Sequence, residues 1–107
     1  MEYLTLKDQL MILSILKLGK EASLIKLREL LNNNTDKKWS IGNVFVSLER
    51  LESLGYVTIK LGEPTGKRGG KAVKFYLVSN AGMEGLKETK KMQDGMWEGL
   101  HDIVFGK

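Results

Sequence analysis

The chain has 107 residues, a formal net charge of +4 at pH 7 and no cysteine, which fits one domain with a single hydrophobic core. The lack of cysteine excludes a disulfide framework and a thiolate zinc site. The first residues are acidic where a signal peptide would be basic, and lysines interrupt the apolar runs. We therefore expect a cytoplasmic protein without a membrane segment, a cofactor or a bound metal.

The first predicted helix is apolar on nearly all sides. Thr5 and Asp8 have the spacing of a capping box, a leucine-rich run from Leu6 to Leu18 follows, and Gly19 ends the helix. A helix of this kind lies either in the middle of the domain or against a second subunit.

Two more predicted helices complete a three-helix core. The second runs from residue 22 to about residue 33 and stops at three consecutive asparagines, whose side chains compete for backbone hydrogen bonds. After a polar loop, Trp39 is expected to be a packing residue and Ser40 the N-cap of helix three. The apolar stripe of helix three consists of Ile41, Val44, Phe45, Leu48 and Leu51.

The opposite stripe of helix three is short and polar. Asn43, Ser47 and Arg50 are spaced four and three residues apart, with Val46 beside them. Short polar groups allow a helix to approach a DNA major groove closely, and a valine can meet a thymine methyl group. An ordinary solvated helix face is the alternative interpretation of this stripe.

A hairpin with a basic tip follows, after Gly55 as the expected helix cap. Between residues 56 and 79 there are five basic residues and one acidic residue, an excess equal to the net charge of the whole chain. This excess indicates a wing that contacts DNA, although a lysine-rich edge also discourages strand aggregation. In the first predicted strand, Val57, Ile59 and Leu61 alternate with Tyr56, Thr58 and Lys60, as in a half-buried strand. In the returning strand, Val73, Phe75 and Leu77 alternate with Lys74 and Tyr76.

One last helix is predicted after Ser79, its expected cap. Its glycines make it a poor helix in isolation, so it needs packing to form. Such a helix can fold back on its own domain or pack on a partner, and we favour the partner because three helices already form a core. Its stripe comprises Met83, Leu86, Lys90, Gln93, Trp97, Leu100 and Val104.

Helix three and the strand after it resemble the PadR family of bacterial winged-helix transcriptional regulators. The family pattern Ser-x-Gly-Thr-Leu-Tyr-Pro-Ala-Leu-x-Arg-Leu-Glu, followed by Gly and a strand start, is similar to residues 40–52 and 55–57. A second family block, Tyr-Tyr-x-Leu-Thr-x-x-Gly, is similar to residues 75–82. Phe45 stands in place of the usual Tyr, so a phosphate contact from that hydroxyl is not expected. Asn43 and Val46 stand in place of Thr and Pro, so a different base preference is expected.

The resemblance implies a homodimer whose recognition helices contact a pseudo-palindromic operator, with the C-terminal helix in the dimer interface. Some family members are similar in sensing small aromatic or cationic molecules at that interface. Trp97 is the candidate contact for such an effector, although an indole there can simply fill the core.

These observations predict an α+β fold, mainly α-helical with a small β-hairpin: a winged helix-turn-helix domain over residues 1–82 and a dimerisation helix over residues 83–107. The predicted function is a sequence-specific DNA-binding transcriptional repressor, and a winged-helix protein-interaction module is the alternative. An enzyme is not expected, because the one histidine, His101, lies near the end of the last helix and no paired carboxylates occur away from solvated helix faces. The predicted DNA contacts are Ser40, Asn43, Val46, Ser47, Arg50, Lys60, Lys67, Arg68, Lys71 and Lys74. The predicted dimer interface comprises Leu6, Leu10, Leu13, Met83, Leu86, Gln93, Trp97, Leu100 and Val104.

Overall fold

The computed structural model describes residues 2–62 and 72–106. Its elements, in chain order, are α1 (Leu6–Leu18), a 3₁₀ turn (Gly19–Glu21), α2 (Leu24–Asn34), α3 (Ile41–Ser53), β1 (Val57–Leu61), β2 (Lys74–Val78), α4 (Asn80–Trp97) and α5 (His101–Phe105). The two strands pair as an antiparallel ribbon. The predicted α+β class, mainly helical with one hairpin, is confirmed.

Each of the four longer helices begins at a hydroxyl side chain. Thr5, Ser23, Ser40 and Ser79 each accept a hydrogen bond from the backbone N–H three residues further on. This bond satisfies one of the orphan donors of the first turn, which explains why these helices start where they do. Ser23 places the start of α2 at residue 24, two residues later than the sequence pattern predicts.

Glycine ends α3 at the expected place. Gly55 has a φ of +81°, and its N–H donates to the Glu52 carbonyl at 2.9 Å. The next N–H, of Tyr56, donates to the Leu51 carbonyl at 2.9 Å. Together these bonds form a Schellman motif, which turns the chain from α3 directly into β1.

The core lies between α1, α2, α3 and the ribbon. Its most deeply buried members are Met11, Ile12, Leu27, Leu31, Val44, Leu48, Leu51 and Val57, while Leu6, Leu13 and Leu16 remain exposed on the other side of α1. One side of α1 therefore lies in the core of the domain. The other side exposes three leucines, which leaves contact with a second subunit open for that side.

The set of β2 side chains that is buried differs from the predicted set. Tyr76 is 4 % exposed and Leu77 is 41 % exposed, so the tyrosine points into the core and the leucine away from it. The register pairs Val57 with Val78 and Ile59 with Tyr76, which puts these four side chains on one face. Both alternate sets of β2 contain large apolar groups, so only the pairing register decides which set is buried.

Burial changes the chemistry of the Tyr76 hydroxyl. Loss of solvent raises its pKa above the usual value, and the negative charges of Glu52 and Glu49 raise it further.

The backbone N–H of Tyr76 donates to the Ala22 carbonyl at 2.9 Å, and Ser23 forms an isolated bridge with Phe75. The segment before α2 therefore extends the ribbon on its β2 edge.

Close backbone contact fixes the first half of α4 to the domain. A Cβ on Gly82 would lie 2.3 Å from the Tyr56 carbonyl oxygen and 2.9 Å from Cγ1 of Val78. Further along, the buried Thr89 hydroxyl accepts a hydrogen bond from the Leu4 N–H at 2.9 Å. The buried face of α4 is therefore made of small residues, and it differs from the predicted stripe that begins at Met83.

The predicted single last helix is wrong, because the chain breaks after Trp97. Gly99 has a φ of +81°, a conformation that only glycine adopts at little cost, and α5 begins two residues later. His101 therefore starts a short helix and does not lie near the end of a long one. The Phe105 ring stacks on the Trp97 ring with centroids 5.8 Å apart and an interplanar angle of 15°, which holds α5 against the end of α4.

Candidate nucleic-acid interface

The first half of α3 has one side in the core, at Val44, and another side exposed to solvent. The Ser40 hydroxyl accepts from the Asn43 N–H at 3.0 Å, which fixes the helix start. Asn43 is exposed, Ser47 is half-buried, and Val46 is 63 % exposed. A short polar face with an accessible valine can approach another molecule closely, because the side chains of Asn43, Val46 and Ser47 are themselves short.

Arg50 is bound to a residue that the sequence patterns did not connect with it. Its Nη1 donates to both carboxylate oxygens of Asp8, at 2.6 and 2.7 Å, although the two residues are 42 positions apart. The Asp8 side chain is 7 % exposed and the Arg50 side chain 53 % exposed. The hydrogen bond and the charge of Asp8 raise the pKa of Arg50. The pair ties α3 to the start of α1.

The turn between α2 and α3 is held by side chains of α2. Asn32 accepts from the Trp39 N–H at 2.6 Å and donates to the Trp39 carbonyl at 3.2 Å, and Arg28 Nε donates to the same carbonyl at 3.1 Å. The Trp39 ring is buried, as predicted for a packing residue, and the Lys7 ammonium lies 5.7 Å from its centroid. These bonds fix the backbone of Trp39, two residues before α3 begins.

The ribbon displays its lysines on both faces. Lys60 pairs with Phe75 and Lys74 pairs with Leu61, so the two lysines point to opposite sides, and both are exposed. The wing-tip residues Lys67, Arg68 and Lys71 lie outside the described residues.

A groove of about 810 Å³ lies between the start of α2, the α3 residue Phe45 and β2. Its walls are largely apolar and include Leu24, Ile25, Phe45, Val73 and Phe75. At its edge Lys26 forms an ion pair with Glu21, whose hydrogen bond and charge raise the pKa of Lys26, while the pKa of Glu21 is lowered. No sequence pattern predicts this groove, because its three walls come from separate parts of the chain.

The residues predicted for a dimer interface fall into two groups. Leu10 and Leu86 pack against the core of their own domain, and Gln93 is half-buried. The exposed members are Leu6, Leu13, Met83, Trp97, Leu100 and Val104.

Two further findings concern residues 2–62 and 72–106. Within these ranges, there is no group of three or more His, Asp or Glu side chains that could hold a metal ion. Among the helices described there, none has the length and apolar character needed to cross a membrane.

Comparison with known proteins identifies the fold. No protein-family model and no curated protein matches the sequence. The structure is similar to that of a PadR family transcription regulator from Clostridium difficile, with a TM-score of 0.67 and 17 % identity over 91 % of this chain and 97 % of the other. It is also similar to a PadR family transcriptional regulator from Eggerthella lenta, with a TM-score of 0.62 and 20 % identity over 95 % of this chain and 89 % of the other.

A third solved structure, smu.1704 from Streptococcus mutans, gives a TM-score of 0.65 at 17 % identity over 92 % of this chain and 87 % of the other. At such identities the likeness concerns the fold. It extends over most of the length of each chain. The chain therefore has the PadR-like winged-helix fold, as its sequence predicts.

Proposed function

We propose that this protein is a cytoplasmic, homodimeric transcriptional repressor that binds a pseudo-palindromic operator in double-stranded DNA. The observation that supports this proposal best is the exposed side of the first half of α3, where Asn43 and Val46 are accessible beside a lysine-bearing ribbon. The structural neighbours from Clostridium difficile and Eggerthella lenta, described as PadR family regulators, support the same role. The chain acts by binding, without catalysis or a cofactor.

Sequence is read in the major groove by α3. The Asn43 amide can donate to and accept from one base edge, the Ser47 hydroxyl can bond a base or a phosphate, and Val46 can contact a thymine methyl group. Asn43 and Val46 are exposed and Ser47 is half-buried, so solvent reaches all three side chains, as direct contact with DNA requires.

Phosphate contacts surround this reading face. Ser40 lies at the α3 N-terminus, and Lys60 and Lys74 extend from opposite sides of the ribbon. Arg50 uses only Nη1 toward Asp8, so its Nε and Nη2 donors can reach a phosphate while Asp8 holds the guanidinium in place. Lys67, Arg68 and Lys71 add phosphate or minor-groove contacts from the wing tip.

The dimer forms through α1 and the C-terminal segment, where leucines and Trp97 are exposed. A two-fold dimer presents two α3 helices to two half-sites, which explains the pseudo-palindromic operator. The accessible side of the Trp97 ring, opposite Phe105, is the contact for a small aromatic or cationic effector.

A titration against DNA tests this function. The protein is titrated with the duplex upstream of its own gene and with unrelated duplex, each at two salt concentrations, because specific and purely electrostatic binding separate under these conditions. A preference of about a hundredfold or more for the upstream duplex supports a specific regulator. Equal, weak binding that disappears at about 200 mM salt contradicts specific recognition of that DNA and favours a protein-interaction module.

A further inference from the structure

The groove between the start of α2, Phe45 and β2 has the size and the lining of a small-molecule site. We call it the α2–β2 groove. Its volume of about 810 Å³ lies within the usual range for ligand pockets, roughly 300 to 1,000 Å³. Ile25 is 57 % exposed and Phe45 is 40 % exposed, so a ligand can reach the apolar wall from solvent. A ligand with an apolar body would remove this wall from water, which is favourable.

The charges of the groove favour an anion at its β2 wall. Among the described residues that line it, the charged ones are Glu21, Lys26 and Lys74. Glu21 and Lys26 form an ion pair with each other, so their charges cancel locally. Lys74 is exposed and forms no ion pair with a carboxylate of residues 2–62 or 72–106. An anionic group beside Lys74 would therefore complement the remaining charge of the groove.

The backbone of β2 adds a hydrogen-bond donor at the same wall. The Val73 carbonyl accepts from the Gly62 N–H on the β1 side of the strand, whereas the Tyr76 N–H donates to the Ala22 carbonyl on the outer side. Backbone groups alternate between the two sides of a strand, so the Lys74 N–H points to the outer side, as that of Tyr76 does. The segment that covers this outer edge turns into α2 just there, so the Lys74 N–H faces the groove and can bond an anionic oxygen.

We propose that the α2–β2 groove binds a small amphiphilic anion, whose apolar body lies along Ile25 and Phe45 and whose anionic group lies at Lys74. The bound anion and DNA exclude each other, because Lys74 is also a proposed phosphate contact and Phe45 directly precedes Val46 of the reading face. Occupation of the groove therefore releases the operator. The exclusion rests on the proposed DNA binding, whereas the anion site does not. Trp97, the proposed contact for an aromatic or cationic effector, does not line this groove.

Titration of the full chain with decanoate tests the site, because decanoate has an apolar chain and one carboxylate that is ionised at about pH 7. In nitrogen–proton correlation NMR spectra, the backbone amide signals of Ile25, Phe45 and Lys74 are expected to shift along one common saturation curve. Decyltrimethylammonium has the same apolar chain and the opposite charge, and it is expected to bind at least about fivefold more weakly. Equal binding of the two probes, or shifts confined to residues outside the groove, would overturn the anion site.

Variants of the groove give a second readout. Ile25→Asp places a carboxylate in the apolar wall and should weaken decanoate binding about tenfold or more. The matched control is Leu54→Asp, because Leu54 is 49 % exposed and does not line the groove, and it should keep the affinity within about twofold. Lys74→Gln should lower the preference for decanoate over decyltrimethylammonium by about threefold or more. An unchanged preference in Lys74→Gln would contradict the contact with this lysine.

Repeating the DNA titration with saturating decanoate tests the exclusion. The affinity for the preferred duplex should fall about fivefold or more, whereas the same addition should leave the affinity of Ile25→Asp unchanged. Decanoate that binds in the groove without lowering DNA affinity overturns the exclusion and leaves the anion site intact. A chain that binds no duplex specifically overturns the proposed function and the exclusion together, and the NMR titration still decides the anion site.

Discussion

The carboxylate of Asp8 on α1 accepts two hydrogen bonds from Nη1 of Arg50 on α3, so a nearly buried anion holds the helix that we propose reads DNA. The arrangement is one-sided. Asp8 is almost fully enclosed, whereas about half of the Arg50 side chain is in contact with solvent.

Arg50→Ala should lower the free energy of unfolding by about 2 kcal/mol, because it leaves the Asp8 carboxylate enclosed without its partner. The value is below that for a fully buried pair, since the exposed guanidinium site lets water reach the carboxylate. Urea denaturation measures the loss. Lys60→Ala, on the ribbon surface, is the control and should change stability by less than about 0.5 kcal/mol. Equal stability of the two variants would contradict a stabilising role for the Asp8–Arg50 pair.

Gly82→Ala should destabilise the protein by about 2 to 4 kcal/mol. The new methyl group would lie 2.3 Å from the Tyr56 carbonyl oxygen, so α4 or the ribbon must move apart. Thermal or urea unfolding provides the measurement. Gly95→Ala is a matched control on the same helix, because a Cβ there meets nothing within 4 Å, and it should stabilise the protein by about 0.5 to 1 kcal/mol. If both substitutions stabilise the protein, the close contact at Gly82 is wrong.

Stability should fall at alkaline pH because of Tyr76. Its pKa is raised in the folded protein above the ordinary value of 10.0, first by burial and then by Glu52 and Glu49. Above about pH 10 the unfolded chain therefore binds fewer protons than the folded chain, and the free energy of unfolding decreases as the pH rises toward the folded pKa. The Tyr76 contribution is fully present below about pH 9.

Tyr76→Phe removes this titration, so its free energy of unfolding should decline less between about pH 9 and about pH 11 than that of the unmodified protein. Urea unfolding at each pH measures the difference. Tyr3→Phe, which changes an exposed ring, should keep the original decline. Identical pH dependence for Tyr76→Phe and the unmodified protein would refute the linkage.

Asn43→Ala should change the preference among DNA sequences, with about 1 to 3 kcal/mol less discrimination at the base pair it reads. Lys74→Ala should instead weaken binding to all sequences alike and reduce the slope of log affinity against log salt by about one. Fluorescence anisotropy with an operator and its single-base variants at several salt concentrations measures both effects. Unchanged sequence preference in Asn43→Ala would remove that residue from base readout.

Several features of the proposed DNA-binding face could not be derived from sequence. Asp8 and Arg50 are far apart in the chain, and no periodic pattern relates a residue of α1 to one of α3. The two hydrogen bonds between the Asn32 side chain and the Trp39 backbone are a second example, because a run of asparagines in the sequence indicates only a helix end. Hydrogen bonds between elements depend on how those elements pack, which local spacing does not encode.

Local chemistry determined the elements themselves. A hydroxyl at residues 5, 40 and 79 with an apolar period behind it marks a helix start, and Gly19 and Gly55 mark two ends, because these signals act over one or two helical turns. Tertiary structure decided which set of β2 side chains is buried, that Gly82 is a point of close contact, and that α4 stops at Trp97 although glycines occur throughout the region. The physical reason is that a residue's burial and the use of a glycine's freedom depend on the partner surface, and that surface exists only after the chain has folded.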